Sequence, residues 1–347
     1  MSERSTAPHY VLGFEKPFVK IDEEIQRLEA SQAESGRDYS DVIRALREQL
    51  ENGMKQAYGS LTPWENVLVA RHPRRPQLRD YIRLLCKDFC ELHGDRLYGD
   101  DKALVCGFAR IAGQKVLLVG HHKGRDTKEK LECNFGCAHP EGYRKALLKM
   151  KMAAKFGVPV VCLVDTPGAY PGVGAEERGI ASAIAVNLFE LSRLNTRVIA
   201  AVIGEGGSGG ALGIAIADHV AVMQHAYYSV ISPEGGAAIL WKSGEHAPKA
   251  AAALKMTPPE LRKLKLIDTI IPEPLGGAHR NPEAAARNLE SWIGASLQDL
   301  NKVKLETLLK RRYERLRSIG SFFEGAGPDA AETPARRSAR REAAASA

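Results

Sequence analysis

The stretch of this chain with the clearest chemical potential is backbone. Residues 203–213 read Ile-Gly-Glu-Gly-Gly-Ser-Gly-Gly-Ala-Leu-Gly, with five glycines among the seven residues 204–210. Main chain without Cβ atoms can approach a ligand closely, and N–H groups at the start of a helix meet an anion with the helix dipole behind them. Three functional patterns fit the same stretch. Gly204-x-Gly206-x-x-Gly209 satisfies the dinucleotide fingerprint, which also wants an acid at the end of the following strand. Gln224 and His225 stand there instead, and Asp218 precedes that strand. Gly206-x-Ser208-x-Gly210 satisfies the nucleophile elbow with Ser208 as nucleophile, for which Glu234 and His246 are the acid and histidine in a tolerable order. The third pattern is an oxyanion hole, in which the amides of Gly209 and Gly210 stabilise a developing enolate or similar anion. A plain strand-to-helix turn is the bland reading, and it needs one or two glycines rather than five.

A second loop, Asp165-Thr-Pro-Gly-Ala-Tyr-Pro-Gly172, leaves the neighbouring predicted strand at the same end and favours the third pattern. Its Asp-x-x-Gly also occurs in GTPases, but the chain has no Gly-x4-Gly-Lys-Ser/Thr to hold phosphates. The elements that must position these loops follow from periodicity. Residues 15–60 and 78–92 carry apolar residues at helical spacing, and 103–111 with 115–120 reads as a hairpin about Ala112-Gly113. Helices are expected at 140–156, 176–194 and 209–217, alternating with strands at 158–164, 197–203 and 219–223. Residues 254–266 and 281–317 read as mostly helical. Strands alternating with helices predict a largely parallel sheet and an α/β class.

The chain has 347 residues, 44% apolar and 26% charged, which is globular composition. Its apolar runs fall far short of the roughly 20 residues of a membrane helix. Acids are scattered through the first thirty residues with no apolar h-region, so a cytoplasmic protein with reduced cysteines is expected. The net charge of +7 concentrates in two stretches: 115–155 holds ten Lys and Arg against four acids, and 300–317 holds seven against two. The tail 324–347 balances four Arg with four acids, has little to bury and is expected to be disordered. The +7 is therefore not a basic tail seeking nucleic acid.

These loops, together with His121–Lys130, Asn134-Phe-Gly, Pro140–Ala146, Asp165–Arg178, Tyr228–Gly235 and Pro272–Arg280, resemble the carboxyltransferase alpha subunit of bacterial acetyl-CoA carboxylase over residues 14–320. The resemblance implies a crotonase-type fold of ββα units wound into a superhelix. With the periodicity it divides the chain into an N-terminal helical arm (1–95), a core (96–280), C-terminal helices (281–323) and the tail (324–347). It implies transfer of a carboxyl group from carboxybiotin, carried on a biotin carboxyl carrier protein, to the methyl carbon of acetyl-CoA, giving malonyl-CoA for fatty-acid synthesis. ATP would be used by the biotin carboxylase component and not by this chain. The site is implied to lie between this subunit and a homologous beta subunit in an α2β2 heterotetramer, each contributing a glycine pair, here Gly209 and Gly210. Substrate contacts are expected from Gly206, Gly207, Gly168, Tyr170, Gly172, Lys123 and Arg125. Decarboxylation leaves an anionic ureido oxygen for two amides to hold, and the biotin nitrogen can take the proton from acetyl-CoA, so no side-chain base is required.

Other features have weaker claims. Cys86-x3-Cys90 and Cys133-x3-Cys137 could hold zinc, but 86–90 fits a buried helix face, and the resembled family keeps its zinc ribbon on the beta subunit. No metal is expected here. His121, His122, Lys123, Arg125 and Lys128 follow a strand and could meet phosphates or a carboxylate, or form a solvated basic loop. His139 and His225 read as packing or surface residues. The 300–317 stripe reads as a helix face packed on the body or on a partner, with RNA binding as an alternative. A stand-alone acyl-CoA hydratase or isomerase is the rival enzyme; it needs acids over the thioester, and Glu176 and Glu177 alone stand near a glycine loop. An inactive scaffold is the rival without turnover.

Overall fold

Residues Val160–Thr166 are buried without exception. An unbroken buried run marks a parallel strand covered on both faces. In the computed structural model, which describes residues 10–320, it forms β4 in the middle of an eight-stranded mixed sheet. The other strands are β1 (Lys87–Glu91), β2 (Leu104–Ile111), β3 (Gln114–His121), β5 (Val198–Gly207), β6 (His219–Met223), β7 (Tyr227–Ser229) and β8 (Thr269–Ile271). The order across the sheet is β1-β2-β3-β4-β5-β6-β8, with β7 paired to β5. Strands β1 to β3 are antiparallel neighbours, and every pairing from β3 onward is parallel. The β2–β3 hairpin turns at Ala112 and Gly113, both with positive φ (48° and 76°), as a turn matched to strand twist requires.

An N-terminal hairpin of α1 (Lys16–Ser35) and α2 (Ser40–Gly59) leads through α3 (Pro63–Ala70) to α4 (Leu78–Leu85). Beyond the first hairpin come α5 (Thr127–Glu132), α6 (Pro140–Lys155), α7 (Val173–Glu177), α8 (Ile180–Ser192) and α9 (Ser208–Ala215). Helices α10 (Pro233–Trp241), α11 (Ala247–Ala253), α12 (Pro258–Lys263), α13 (Pro282–Asn301) and α14 (Leu305–Arg317) complete the chain. α6, α8 and α9 pack together against β2 to β5, and α4 and α13 pack together, with α13 also meeting β2, β5 and β8. One apolar cluster runs through the sheet and these helices.

Several expectations are corrected. The helical reading of 78–92 stops at Leu85: Cys86 is already extended and 87–91 pairs with β2 as a strand. The run Leu84-Leu85-Cys86…Phe89 fits a strand as well as a helix, and the sheet edge decides. The helix at 176–194 is two, because Gly179 sits at φ 78° between α7 and α8. Residues 254–257 separate α11 from α12, so 254–266 is only partly helical. The strand at 197–203 continues four residues further, into the glycine-rich stretch. The 300–317 stripe does pack on the body: Arg312 is 1% exposed and binds Asp218 at 2.8 and 2.7 Å, with the carbonyls of Leu191, Leu194 and Thr196. The tail 324–347 lies outside the described residues.

Candidate active site

β4 and β5 leave the sheet side by side, and a register shift after Val164 sets Thr166 opposite Gly206. Gly204 to Gly207 are thus buried strand rather than a bare loop. The lack of side chains at Gly204, Gly206 and Gly207 serves packing: a Cβ on Gly207 would stand 2.1 Å from the Pro167 carbonyl oxygen. The chain then reverses at Ser208, a non-glycine residue at φ 47°, and enters α9. No side chain caps this helix. The N–H groups of a first helical turn have no partner within the helix, so those of Ser208, Gly209 and Gly210 are offered to whatever lies ahead.

Gly209 and Gly210 differ sharply. A Cβ on Gly210 would stand 2.4 Å from the Gly168 carbonyl carbon and 2.5 Å from the Ala169 nitrogen. On Gly209 it would meet only Ile184, at 3.7 Å. The second loop therefore runs against Gly210, and Thr166 shapes it by donating to the Gly168 carbonyl and accepting from the Gly168 N–H. On the other side of α9 lies an apolar groove of about 320 Å³ whose lining includes Ser208, Gly209, Leu212, Tyr228, Val230 and Ile319.

Beneath the strand ends lies a buried charge network. Lys123 Nζ is 2.6 Å from both Asp165 Oδ1 and Glu205 Oε1. Glu205 also accepts from Arg71 Nε at 2.7 Å and from the Tyr227 hydroxyl, while Arg71 reaches Glu234 at 2.5 Å. Burial alone would raise the Glu205 pKa, but Lys123 and Arg71 outweigh it and hold the carboxyl at about 2. Burial likewise opposes the Lys123 ammonium, and Asp165 and Glu205 outweigh it to raise its pKa. The network walls a cavity of about 220 Å³ shared with Arg75, Phe135 and Pro167.

The expected site residues are thus sorted by the fold. Gly168, Gly209 and Gly210 come together. Gly206 and Gly207 lie behind them in β5, and Lys123 is held in the network. Arg125 points elsewhere, onto Asp80 and the carbonyls of Pro73 and Arg75. Tyr170 lies over the His139 ring at 4.1 Å, and a Cβ on Gly172 would strike the Tyr170 ring. His121 and His122 are buried rather than part of a solvated basic loop. Sequence reasoning missed Arg71, Tyr143 and Asn187. Tyr143 donates to the Gly210 carbonyl at 3.3 Å, and Asn187 Nδ2 donates to the carbonyls of Tyr143 and Gly213 at 3.0 Å. A buried asparagine bracketing α6, α8 and α9 is a signal only once the helices are placed.

The competing patterns meet poor support. Ser208 has the strained backbone of a nucleophile, but Glu234 is bound by Arg71 and His246 lies against Trp241. Asp218, the dinucleotide candidate, pairs with Arg312. Glu176 and Glu177 are exposed on α7. Cys90 is exposed on β1, not in a helix with Cys86. Among the described residues the group nearest a metal-ligand set is Glu15, His72 and His279. Its two imidazoles stack with centroids 3.9 Å apart and planes at 22°, so their in-plane lone pairs lie in separate, nearly parallel planes, a poor arrangement for sharing one ion.

The family model for acetyl co-enzyme A carboxylase carboxyltransferase-like proteins matches residues 11–320. The acetyl-coenzyme A carboxylase carboxyl transferase subunit alpha of Rhodopirellula baltica is 52% identical over 313 residues, covering 90% of this chain and 98% of the relative. The subunit of the same name from Bordetella pertussis is 51% identical with the same coverage. Among solved structures, the transcarboxylase 12S core is similar at TM-score 0.54 and 22% identity, over 66% of this chain and 42% of that one. A Pseudomonas malonate decarboxylase hetero-tetramer is similar at TM-score 0.52 and 17% identity, over 72% and 93%. These likenesses show the fold, a crotonase-type α/β architecture. With two relatives at half identity over nearly their whole length, the chain belongs to the family of acetyl-coenzyme A carboxylase carboxyltransferase alpha subunits.

Proposed function

We propose that this chain is the alpha half of a carboxyltransferase that moves a carboxyl group from carboxybiotin, borne on a biotin carboxyl carrier protein, to acetyl-CoA, making malonyl-CoA for fatty-acid synthesis. The observation that carries the reading is the uncapped first turn of α9, opening at Gly209 beside an apolar groove. Carboxybiotin, when bound, supplies the carboxyl group and a ureido oxygen on which charge develops. The Gly209 and Gly210 amides are the donors for that charge, with the α9 dipole behind them. Leu212, Tyr228 and Val230 fit the apolar remainder of such a ring and exclude water, which raises the worth of each donor. Tyr143 and Asn187 hold the helix that carries the donors, and the Lys123–Asp165–Glu205 network holds the ends of β4 and β5 in register.

On this reading the beta subunit brings the second glycine pair and completes an α2β2 assembly, and biotin carboxylase, the component that uses ATP, acts upstream. The assembly is assigned to the cytoplasm; no described helix is long and apolar enough to cross a membrane. The division at 95, 280 and 323 belongs to the same proposal, with α4 and β1 as the parts of the arm that join the sheet. The test is to mix the full chain, with and without a beta subunit, with malonyl-CoA and biocytin and to follow acetyl-CoA release. Activity only in the mixture is expected; activity of this chain alone, or none in the mixture, refutes the reading. Gly209→Pro or Gly210→Pro deletes one donor and is expected to lower turnover about 10²–10³ fold.

A further inference from the structure

The apolar groove beside α9 has Tyr228, Ser229 and Val230 in its lining. These residues stand in the middle of the segment 227–234, which joins β7 to the first turn of α10. Side chains alternate along β7. Tyr228 faces the groove with its ring over Gly206, where a Cβ would stand 2.9 Å from Tyr228 Cδ2. Tyr227 turns the other way, and its hydroxyl enters the buried charge network. One side chain holds both ends of the segment. Arg71 Nη2 donates to the Tyr227 hydroxyl at 3.0 Å, and Nη1 donates to Glu234 Oε1 at 2.5 Å. Its Nε donates at 2.7 Å to Glu205, which belongs to β5, the strand that β7 pairs with. A planar guanidinium can serve three acceptors in fixed directions, which a flexible ammonium cannot. Arg71 is itself fixed from behind, because it caps the C-terminal end of α3, whose Trp64, Val67 and Ala70 join Tyr227, Ala251 and Met256 in a small apolar cluster. It does not line the groove but faces the polar cavity of about 220 Å³.

We propose that Arg71 is a positioning residue for the groove: by clamping Tyr227 at one end and Glu234 at the other, it sets where Tyr228 and Val230 stand, and so how tightly a biotin ring is held, without touching that ring. The role rests on the function proposed above, which gives the groove to carboxybiotin. The clamp acts on the groove wall and not on the Gly209 and Gly210 amides, so it belongs to the affinity for biotin rather than to the chemical step. Glu234 is the informative partner. Its carboxylate is 43% exposed, and an ion pair at such exposure adds little to stability; its worth here is the fixed path of the segment between the two anchors.

The experiment uses the full chain in complex with the beta subunit, with biocytin and malonyl-CoA as substrates. Arg71→Met is expected to raise KM for biocytin about tenfold, the low end of the range for a hydrogen bond to a charged group. Its kcat should stay within about threefold and its KM for malonyl-CoA within about twofold. Arg71→Lys keeps the charge beside Glu205 but cannot span three acceptors, so it should raise KM for biocytin at least about fivefold. Glu234→Gln leaves Glu205 paired and should raise the same KM about threefold; added to Arg71→Met it should raise it no further, because the two changes break one contact. An unchanged KM for biocytin in a folded Arg71 variant, an equal rise for both substrates, or additive effects overturn the proposal. If Arg71→Met does not fold, Arg71→Lys and Glu234→Gln carry the test. Amide hydrogen exchange at 227–231 gives a readout independent of turnover: it should be about fivefold faster in the Arg71 variants, and unchanged exchange overturns the clamp. If the wild-type mixture shows no transcarboxylation, the proposed reaction fails, and exchange still decides whether Arg71 holds the segment.

Discussion

The contrast between the two adjacent glycines of α9 can be turned into a measurement. In Gly210→Ala the new methyl would sit 2.4 Å from the carbonyl carbon of Gly168 and 2.5 Å from the nitrogen of Ala169. Both obstacles are backbone, so the clash is relieved only by moving the 168–169 loop or the first turn of α9. Overpacking of this kind costs about 1–3 kcal/mol, and a backbone obstacle puts it at the upper end, ~2–3 kcal/mol. With an unfolding entropy of roughly 2.1 cal/mol/K per residue over about 310 residues, the melting temperature falls ~3–5 °C. In Gly209→Ala the methyl meets only Ile184 at 3.7 Å, an ordinary contact. Alanine in a helix is favoured over glycine by about 0.5–1 kcal/mol, so this variant melts at or slightly above the wild type. Turnover follows the same asymmetry. A displacement approaching 1 Å at a donor costs up to about 10²-fold, so Gly210→Ala loses ~10–100 fold, whereas Gly209→Ala keeps its N–H in place and stays within about threefold. Calorimetry and the acetyl-CoA release assay on the two proteins decide the matter. Equal melting temperatures, or a larger loss in Gly209→Ala, would refute the close approach of the two loops.

Three further outcomes follow from the buried charges. Lys123→Met removes the counter-ion of two buried carboxylates and is expected to cost ~3–5 kcal/mol in urea unfolding at pH 7. Wild-type Glu205, with its pKa at about 2, contributes stability that is present above pH 4.5 and lost as the pH falls toward 2; in the variant Arg71 remains as its charged partner without Lys123, so the carboxyl is lowered less and the deficit should shrink as the pH falls from 4.5 toward 2, and a constant deficit contradicts the network. Arg312→Leu strands Asp218 and three carbonyls and is expected to cost ~3–5 kcal/mol, while a surface change such as Arg311→Leu costs little; equal melting temperatures would show that the stripe is solvated. His72 is buried, and burial with the nearby His279 charge lowers its pKa from 6.5 to about 4. Between those values the unfolded chain binds a proton that the native ring refuses, so stability falls by ~2 kcal/mol from pH 7 to 5, and His72→Gln should flatten that slope.

Much of the architecture was legible because its signals are local. His219–Met223 is a strand where the sequence predicts one, and α6 begins at Pro140, a proline in the first turn of the predicted helix. The β2–β3 hairpin was announced by Ala112-Gly113. Failures occurred where a local pattern serves two structures: 85–92 reads as helix or strand, and pairing with β2 settles it. The glycine-rich stretch was half understood. Its second half is the presented backbone, but Gly204, Gly206 and Gly207 are small because neighbouring segments press on them, which no spacing reveals. The charge network was illegible, since Arg71 and Glu205 are 134 residues apart and an arginine two residues before Pro73 carries no mark of its partner. Similarly, Arg312 looks like any cation of a basic stripe until α14 is laid over Asp218.

The long reach of the N-terminal segment has a consequence for how the protein is made. Glu15 bonds His279, Arg75 bonds Glu273 and the Ile203 carbonyl, and Arg71 bonds Glu205. Each of these early residues is translated well before its partner, so while the chain grows the arm has nothing to close on. Contacts of such sequence separation are slow to form and cost the most loop closure. The order of assembly is therefore imposed by the fold: the β2–β3 hairpin and α6 can pair as they emerge, and the charge network under the glycine turn can form only after Glu205 has been made. The arm is locked down last, when Glu273 and His279 arrive. A ribosome halted before residue 273 would hold a chain whose Arg71 and Arg75 can already reach Glu205 and the Ile203 carbonyl, while the closing contacts to Glu273 and His279 are still missing.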